Sequence, residues 1–475
     1  MSGLFGELQR TSQALNAQSQ GIYTAGRNMA NVNNSAYSRQ RVQLGDQGIV
    51  QTTLGPQSLG VTALALQNVR DSLLDRQVIR ETSSASSLQA QSEAFQKAEL
   101  ALGQQIDRQA DAEYIEGATN TGSTSGIGES LDDLLNAFSS LAASPRSDAE
   151  RQVLYQKALT FVSRMQTVDA RLEDVQQDMN DSVLVDLRKV NDLLGTISNL
   201  NQQIGRFEVG APGSALDLRD QRQARLEELA QYIDLEVQEV GTTGQIQILS
   251  RDAANAPVVL LDQSNTPPPV SFDGTSITAG APATALTLRG GSIQGYLAAR
   301  DGTIAGMRTN LDALAAQVVT SVNDAYNPGG TSTDFFVAGG TTAATIAVDP
   351  TLTVASIRST NTAEPGANDV ALAIGALADA RFSTAGGDSI DGTFGSFYRG
   401  IVSDIANATA SSRSRFEDQT TLKGLVLARR DSVSGVSLDE EMTDLIKYQR
   451  AFDASAKVMR VIDEMLETVV NGLAR

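Results

Sequence analysis

Residues 28–41 read N-M-A-N-V-N-N-S-A-Y-S-R-Q-R. Four asparagines, Asn28, Asn31, Asn33 and Asn34, are followed by a lone tyrosine and two arginines. Asparagine tolerates left-handed backbone and bonds its own neighbours, so the run predicts a helix end and a turn. Upstream of it Leu8, Leu15, Ile22 and Met29 recur every seven residues, and Leu4, Ala25 and Val32 supply a second seam. Seven is the coiled-coil period, and it asks for a partner helix along the whole length. Gly21 and Gly26 each weaken that helix by about 1 kcal/mol relative to alanine, so it is expected to fold on docking rather than alone.

The other end of the chain repeats the pattern more strongly. Leu438, Leu445, Phe452, Met459, Leu466 and Leu473 stand at strict seven-residue intervals, and Met442, Tyr448, Ala456, Ile462, Val469 and Val470 widen the stripe. Ser437 followed by Glu440, just after Gly435, reads as a capping box. A helix over 437–473 is about 55 Å long at the usual rise. Between residues 1 and 45 the only acid is Glu7, against Arg10, Arg27, Arg39 and Arg41. The last forty residues carry Asp439, Glu440, Glu441, Asp444, Asp453, Asp463, Glu464 and Glu467. This opposite bias lets the two ends attract each other, or the ends of neighbouring copies; on charge alone it equally describes two solvated helix faces.

Between the ends, helical periodicity dominates 64–115, 129–207 and 215–231, interrupted by a low-complexity loop at 117–128 and a turn at 211–214. At Asp234 the texture changes. L-E-V-Q-E-V, G-T-T-G and Q-I-Q-I-L alternate across a turn, which is the mark of a hairpin. A proline run at 267–269 and the Gly290–Gly291 pair close this β-rich stretch. Helix returns at 293–325 and stops at N-P-G-G (327–330). A second β-leaning patch spans 334–348, and helix resumes from about 395.

The expected architecture is multidomain α+β. Residues 1–40 and 437–475 form an axial α-helical, coiled-coil-like core built from both termini. Residues 41–231, 293–330 and 395–436 form a helical shoulder, and 232–292 with 331–394 a small β-rich outer domain. A chain that leaves as helix and returns as helix brings its termini together.

Composition narrows the chemistry. The 475 residues exceed what one core usually holds, so two to four domains are expected. Aromatics are 5% and tryptophan is absent, which suits long helices better than a deep enzyme core. With no cysteine and no histidine, thiolate chemistry, disulfides and the commonest general base and metal ligand are missing. A net charge of −19 disfavours nucleic acid and anionic membranes as partners. No Gly-rich phosphate loop precedes a Lys-Ser or Lys-Thr pair. G-G-D-S-I-D-G (386–392) reads as a polar turn, since the ligand positions of a calcium loop are missing. Asp217 and Asp220 have the types of a glycosidase pair, but D-L-R-D-Q-R is more simply an acid–base lattice along a helix. Neither an enzyme, a cofactor nor a metal is expected. Neither a signal peptide nor a membrane span is visible, so the chain is read as cytosolic, or as leaving the cell by a route that reads no such signal.

The opening stretch resembles the signature shared by flagellar rod, hook and hook-associated axial proteins, in which a helix ends in Asn-x-Ala-Asn, a turn and a tyrosine. Its continuation Y-S-R-Q (37–40) resembles the flagellar hook-associated protein 1 (FlgK) family in particular. At 34–36 that family commonly has Thr-Pro-Gly where this chain has Asn-Ser-Ala, which puts the turn type in question. The segments at 60–77, 216–230 (L-D-L-R-D-Q-R-Q-A-R-L-E-E-L-A) and 290–301 are also similar to the family. So is the block G-V-S-L-D-E-E-M-T-D-L-I-K-Y-Q-R-A-F-D-A-S-A-K-V-M at 435–459. The resemblance runs from residue 2 to 474.

It implies a structural component of the bacterial flagellum, the junction between hook and filament needed for flagellin to polymerise onto the hook. The alternative is another axial protein: hook, rod or second junction protein. It further implies export through the flagellar type III apparatus, an extracellular location in the flagellum, and homo-oligomeric assembly in a ring. The implied partners are hook protein, the second junction protein and an export chaperone, with neither nucleic acid nor membrane. The residues expected to face neighbouring copies are Leu8, Leu15, Ile22, Met29, Asn31, Tyr37 and Arg39 near the start. At the other end they are Leu438, Leu445, Phe452, Met459, Leu466 and Leu473.

Overall fold

The computed structural model describes residues 2–46, 48–52, 55–58, 60–102, 126–262, 266–280, 282–330, 332–362, 364 and 366–473. Most of the loop expected at 117–128, and the end of the helix expected to reach 115, lie outside these. So does the side chain of Leu473.

The chain opens with α1 (Ser2–Ala30) and continues through β1 (Gln40–Asp46), β2 (Ile49–Thr52), β3 (Gly55–Ser58) and β4 (Val61–Asn68). Helices α2 (Ser72–Ala101), α3 (Ile127–Ala143), α4 (Asp148–Glu208) and α5 (Leu216–Leu229) follow. Next come β5 (Glu236–Val240), β6 (Gln245–Arg251), β7 (Pro257–Leu261), β8 (Ser271–Phe272), β9 (Ile277–Ala279) and β10 (Thr284–Ala285). The chain closes with α6 (Gly291–Ala298), α7 (Ala305–Tyr326), α8 (Asp369–Gly375), α9 (Phe394–Ser434) and α10 (Leu438–Leu473).

Two compact units result. The first holds residues 1–85, 187–291 and 419–475; the second holds 86–186 and 292–418.

In the first unit, β1 and β4 pair antiparallel from Gln40↔Asn68 to Asp46↔Val61, and β2 pairs with β3 between them. This corrects the helical reading of the segment after residue 41. The consecutive apolar residues Ala63 to Leu66 suit either period, and pairing with β1 makes the segment a strand. The hairpin expected after Asp234 is β5–β6, whose turn carries Gly241 and Gly244 at φ of 70° and 67°. Strand β7 extends it to three strands. Two asparagines of α4 fix the β strands by imitating a neighbouring strand. The Asn201 side chain both donates to Ile246 O (3.0 Å) and accepts from Ile246 N (2.9 Å). Asn191 does the same with Val270 at 2.9 Å each way.

The second unit has a helical core of α3, α4 and α7 side chains, with Leu134, Phe138, Phe161, Leu314 and Val318 fully buried. Phe335 packs on Phe138 and Tyr326 with ring centroids 5.1 and 5.5 Å away. The β-leaning patch at 334–348 is therefore corrected. Phe335 and Phe336 are both buried although adjacent, and among the described residues only one isolated bridge forms there, Phe336↔Val348. The grouping of 232–292 with 331–394 is likewise not what the packing shows. The former belongs almost wholly to the first unit and the latter to the second. At 386–392, Asp388 and Asp391 accept the backbone N–H groups of Ser383 and Thr384, which makes the stretch a polar turn.

Candidate functional site

The site grows from the asparagine run. Asn31 ends α1 by donating its side-chain amide to Arg27 O at 2.9 Å, and Asn34 Oδ1 accepts the Ala36 N–H at 3.1 Å. Asn-Ser-Ala thus still makes a turn, built by a side chain that mimics the backbone. The turn presents the next residues to Asn28, which is 1% exposed. Its Nδ2 donates to Gln40 O and Glu441 Oε2, each at 2.9 Å. Its Oδ1 accepts the Tyr37 hydroxyl at 2.8 Å and the Gln40 N–H at 3.0 Å. Every donor and acceptor of the amide is in use, which makes Asn28 the joint between α1, β1 and α10.

Arg39, between α1 and β1, is tied to α10 by charge. Its Nε donates to Glu441 Oε1 at 2.5 Å, its Nη1 to Glu440 at 2.5 Å, and its Nη2 lies 3.5 Å from Asp444. Burial works against the guanidinium charge, but Glu441 and Glu440 more than offset it and hold Arg39 above its ordinary value. The backbone joins in: Arg39 N–H donates to Ser434 O at 2.9 Å and Arg39 O accepts from Val69 at 2.7 Å. The Glu440 side chain goes to Arg39, and no bond from it back to Ser437 is present among the described residues, so the expected capping box is not seen.

Helix α5 supplies a third strut. Asp220 accepts the Ser38 N–H (3.0 Å), the Ser38 hydroxyl (3.1 Å) and the Asn68 amide (2.8 Å), and Arg70 stands 3.3 Å away. Burial pushes its carboxyl above the usual range, against the downward pull of Ser38 and Arg70. Asp217 pairs with Arg27 at 2.8 Å and accepts from Gln40 at 3.0 Å. The acid–base lattice expected along this helix is accordingly corrected. Asp217, Arg219 and Asp220 reach outward to other elements, Arg219 to Glu208 at 2.7 Å, and only Arg225–Glu228 pairs within α5 among the described residues. Tyr37 is half-buried beside these acids, and its phenol is pushed up to about 12, chiefly by burial.

Above this joint α1 and α10 pack lengthwise on each other. Leu445, Phe452, Met459 and Leu466 are half-buried and Ile462 is 7% exposed, so the seam found in the sequence has a partner within its own chain. Leu438 is 48% exposed at the start of α10. On α1 the positions most deeply covered are Ala17, Gly21, Thr24, Ala25 and Asn28, whereas Leu8, Leu15, Ile22 and Met29 are half-buried. The helices approach so closely at Gly21 that a Cβ there would lie 2.6 Å from the Tyr448 ring. Of the expected residues, Tyr37 and Arg39 converge on Asn28 and Glu441; Asn31 stays at the helix end. Sequence reasoning missed Asn28, Asp220, Arg70 and Glu441 as members of one network. The one available signal was that all four fall inside stretches quoted for their family resemblance.

The turn-and-helix joint binds the two ends of one chain to each other, and comparison with known proteins gives the class. Residues 112–336 match the family described as the flagellar hook-associated protein FlgK helical domain, and 430–473 match the flagellar basal body rod FlgEFG protein C-terminal. The chain is thus of the flagellar structural class. It is 25% identical to flagellar hook-associated protein 1 of Bacillus subtilis (strain 168), covering 100% of this chain and 99% of that protein. It is 22% identical to that of Escherichia coli (strain K12), covering 98% and 99%. The solved hook junction protein FlgK from Burkholderia pseudomallei shares the fold, with a TM-score of 0.58 at 15% identity over 76% of this chain and 100% of that one. Over essentially its whole length the chain is similar to the flagellar hook-associated protein 1 (FlgK) family.

Proposed function

We propose that this chain is the structural junction between hook and filament of a bacterial flagellum, required for flagellin to polymerise onto the hook. The observation that carries this reading is the likeness to hook-associated protein 1 over essentially the full length of chain and relatives. The tied terminal pair gives it a physical form. Helices α1 and α10 are long and amphipathic, and their side chains are only half covered by each other, so further copies can add to them. Copies assemble as a ring between hook protein and a second junction protein, the chain travels out through the flagellar type III apparatus, and an export chaperone holds its ends before assembly. Leu8, Leu15, Ile22 and Met29 on α1, Leu438 and the neighbours of Met459 on α10, and Tyr37 border the surfaces that meet those copies.

The test is removal of the protein from its own organism, with imaging of cells and assay of the medium for flagellin. Bare hooks with flagellin in the medium are expected. Loss of the hooks too would move the protein to the rod or hook, and normal filaments would sink the junction role.

A further inference from the structure

The first unit contains a cavity of about 940 Å³ whose lining includes Arg70, Arg76, Arg219 and Arg222, against the acids Asp75 and Glu239. An excess of guanidinium groups is unexpected in a chain of net charge −19. Two of the four are neutralised by contact: Arg219 by Glu208 at 2.7 Å, and Arg70 by Asp75 and Asp220 at 3.3 Å each. The other two are not. Arg76 donates only to Ser72 O, at 3.3 Å, among the described residues. Arg222 is 5% exposed, and its Nη1 donates to Asn201 Oδ1 at 2.9 Å and Gly244 O at 2.8 Å. Its Nε and Nη2 meet no protein acceptor among the described residues.

A buried guanidinium bonded only to neutral groups is costly, because desolvation is only partly offset by opposite charges that do not touch it, here Glu239 and Glu208. Burial, with Arg219 beside it, brings Arg222 down to about 10. Asn201 and Gly244 fix the Nη1 side of the fork and leave the Nε–Nη2 edge without a protein acceptor among the described residues, in a residue that lines the cavity. That edge is the one that matches two oxygens of a phosphate or carboxylate in parallel hydrogen bonds. Arg76, on the first turns of α2, adds a second cation from another wall of the same cavity.

We propose that Arg222 and Arg76 form a binding site for a free small oxyanion of the phosphate class, held by the Nε–Nη2 edge of Arg222. The site needs only the fold of the first unit and stands independently of the junction role.

Inorganic phosphate titrated into the full chain at constant ionic strength, with chloride as the balancing ion, tests this by calorimetry and thermal unfolding. Saturable binding and a rise in Tm beyond the chloride control are expected. Arg222→Met should lose at least tenfold in affinity. Arg76→Gln, at an exposed position that cannot unfold the protein, should weaken binding several-fold, and Glu239→Gln should strengthen it. Absence of saturable binding, or unchanged affinity in both Arg76→Gln and Glu239→Gln, overturns the site. Self-association that phosphate reverses, seen by sedimentation, overturns the free-anion assignment by giving these arginines a carboxylate of a second copy.

Discussion

Arg39 Nε lies 2.5 Å from Glu441 Oε1, although the two residues are 402 positions apart. Arg39 is 6% exposed and Glu441 2%, so this is a buried ion pair, and Asn28 holds the other carboxylate oxygen. The start and the end of the chain are thereby fastened at one point, from which α1 and α10 run together.

Removing one partner leaves the other charge buried and unpaired. Arg39→Ala or Glu441→Ala should each cost about 3–5 kcal/mol in the first unit, and the double variant less than their sum. Urea denaturation of the four proteins completes the cycle. Strict additivity would show that the two groups do not act as a pair.

Asn28 and Tyr37 should separate in size of effect. Asn28→Ala removes four hydrogen bonds at once and is expected to cost about 1–3 kcal/mol or more through groups left unpaired. Tyr37→Phe leaves Asn28 Oδ1 its bond from Gln40 N–H, so its cost should be about 1 kcal/mol. Equal midpoints for the two variants in urea would contradict the central place given to Asn28.

The parts of the fold legible in the sequence were those written in periodicity. The Leu445–Leu466 row is half-buried on the helix that packs along α1, while Leu438 stays exposed, and the hairpin after Asp234 is where alternation placed it. The turn after α1 was legible because asparagine acts locally. What could not be read was polar pairing across hundreds of residues. Asp217 and Asp220 alternate with arginines along their own helix, but none stands three or four residues away, so the lattice expected there has no geometry to close. The folded chain instead gives Asp217 to Arg27 and Asp220 to Ser38 and Arg70. The β1–β4 hairpin was missed because Ala63, Leu64, Ala65 and Leu66 are consecutive apolar residues, which suit either period. Similarly, Leu8, Leu15, Ile22 and Met29 form the most apolar row of α1, yet the small residues Ala17, Gly21 and Ala25 are the more buried. Close helix approach selects small side chains, and hydrophobicity alone does not reveal that.

Gly21 and Gly26 of α1 give a sharp contrast. At Gly26 nothing lies within 4 Å of an added Cβ, so Gly26→Ala should stabilise by about 1 kcal/mol through helix propensity. At Gly21 the same methyl group meets the Tyr448 ring at 2.6 Å. Gly21→Ala should therefore be destabilising despite its propensity gain, and Tyr448→Ala in the same chain should restore part of the loss. Thermal unfolding of the four proteins decides, and a stabilised Gly21→Ala would mean that α1 and α10 do not approach as described.

Asp220 predicts a pH dependence whose sign is fixed. Its folded carboxyl lies above the usual value, mainly through burial, so the folded chain binds the proton more tightly than the unfolded one. The stability this contributes is fully present below the unfolded value, about pH 4, and is lost as pH rises through the folded value. The stability of the parent chain minus that of Asp220→Asn should thus shrink between pH 4 and pH 7. Glu208, held low by Arg219 and by backbone N–H groups although burial opposes it, has the opposite sign but is common to both proteins and cancels. A difference that grows with pH would show that Ser38 and Arg70 outweigh burial.

The seam within the chain and the surface between copies should respond to different substitutions on the same helix. Leu445 is half-buried towards α1, so Leu445→Asp, like Leu466→Asp, should both loosen the α1–α10 pair and block incorporation. Ile446 and Val461 are 50% and 47% exposed, and an aspartate at either place leaves the pair intact in the isolated chain. If these outward positions meet neighbouring copies in the assembled flagellum, Ile446→Asp and Val461→Asp should keep the unfolding midpoint of the parent chain and yet produce cells with bare hooks. Each variant is to be expressed in cells lacking the parent protein, with filaments counted by electron microscopy and the purified chain melted in parallel. Normal filaments from both outward variants, with Leu445→Asp defective, would confine the role of α10 to holding its own chain together.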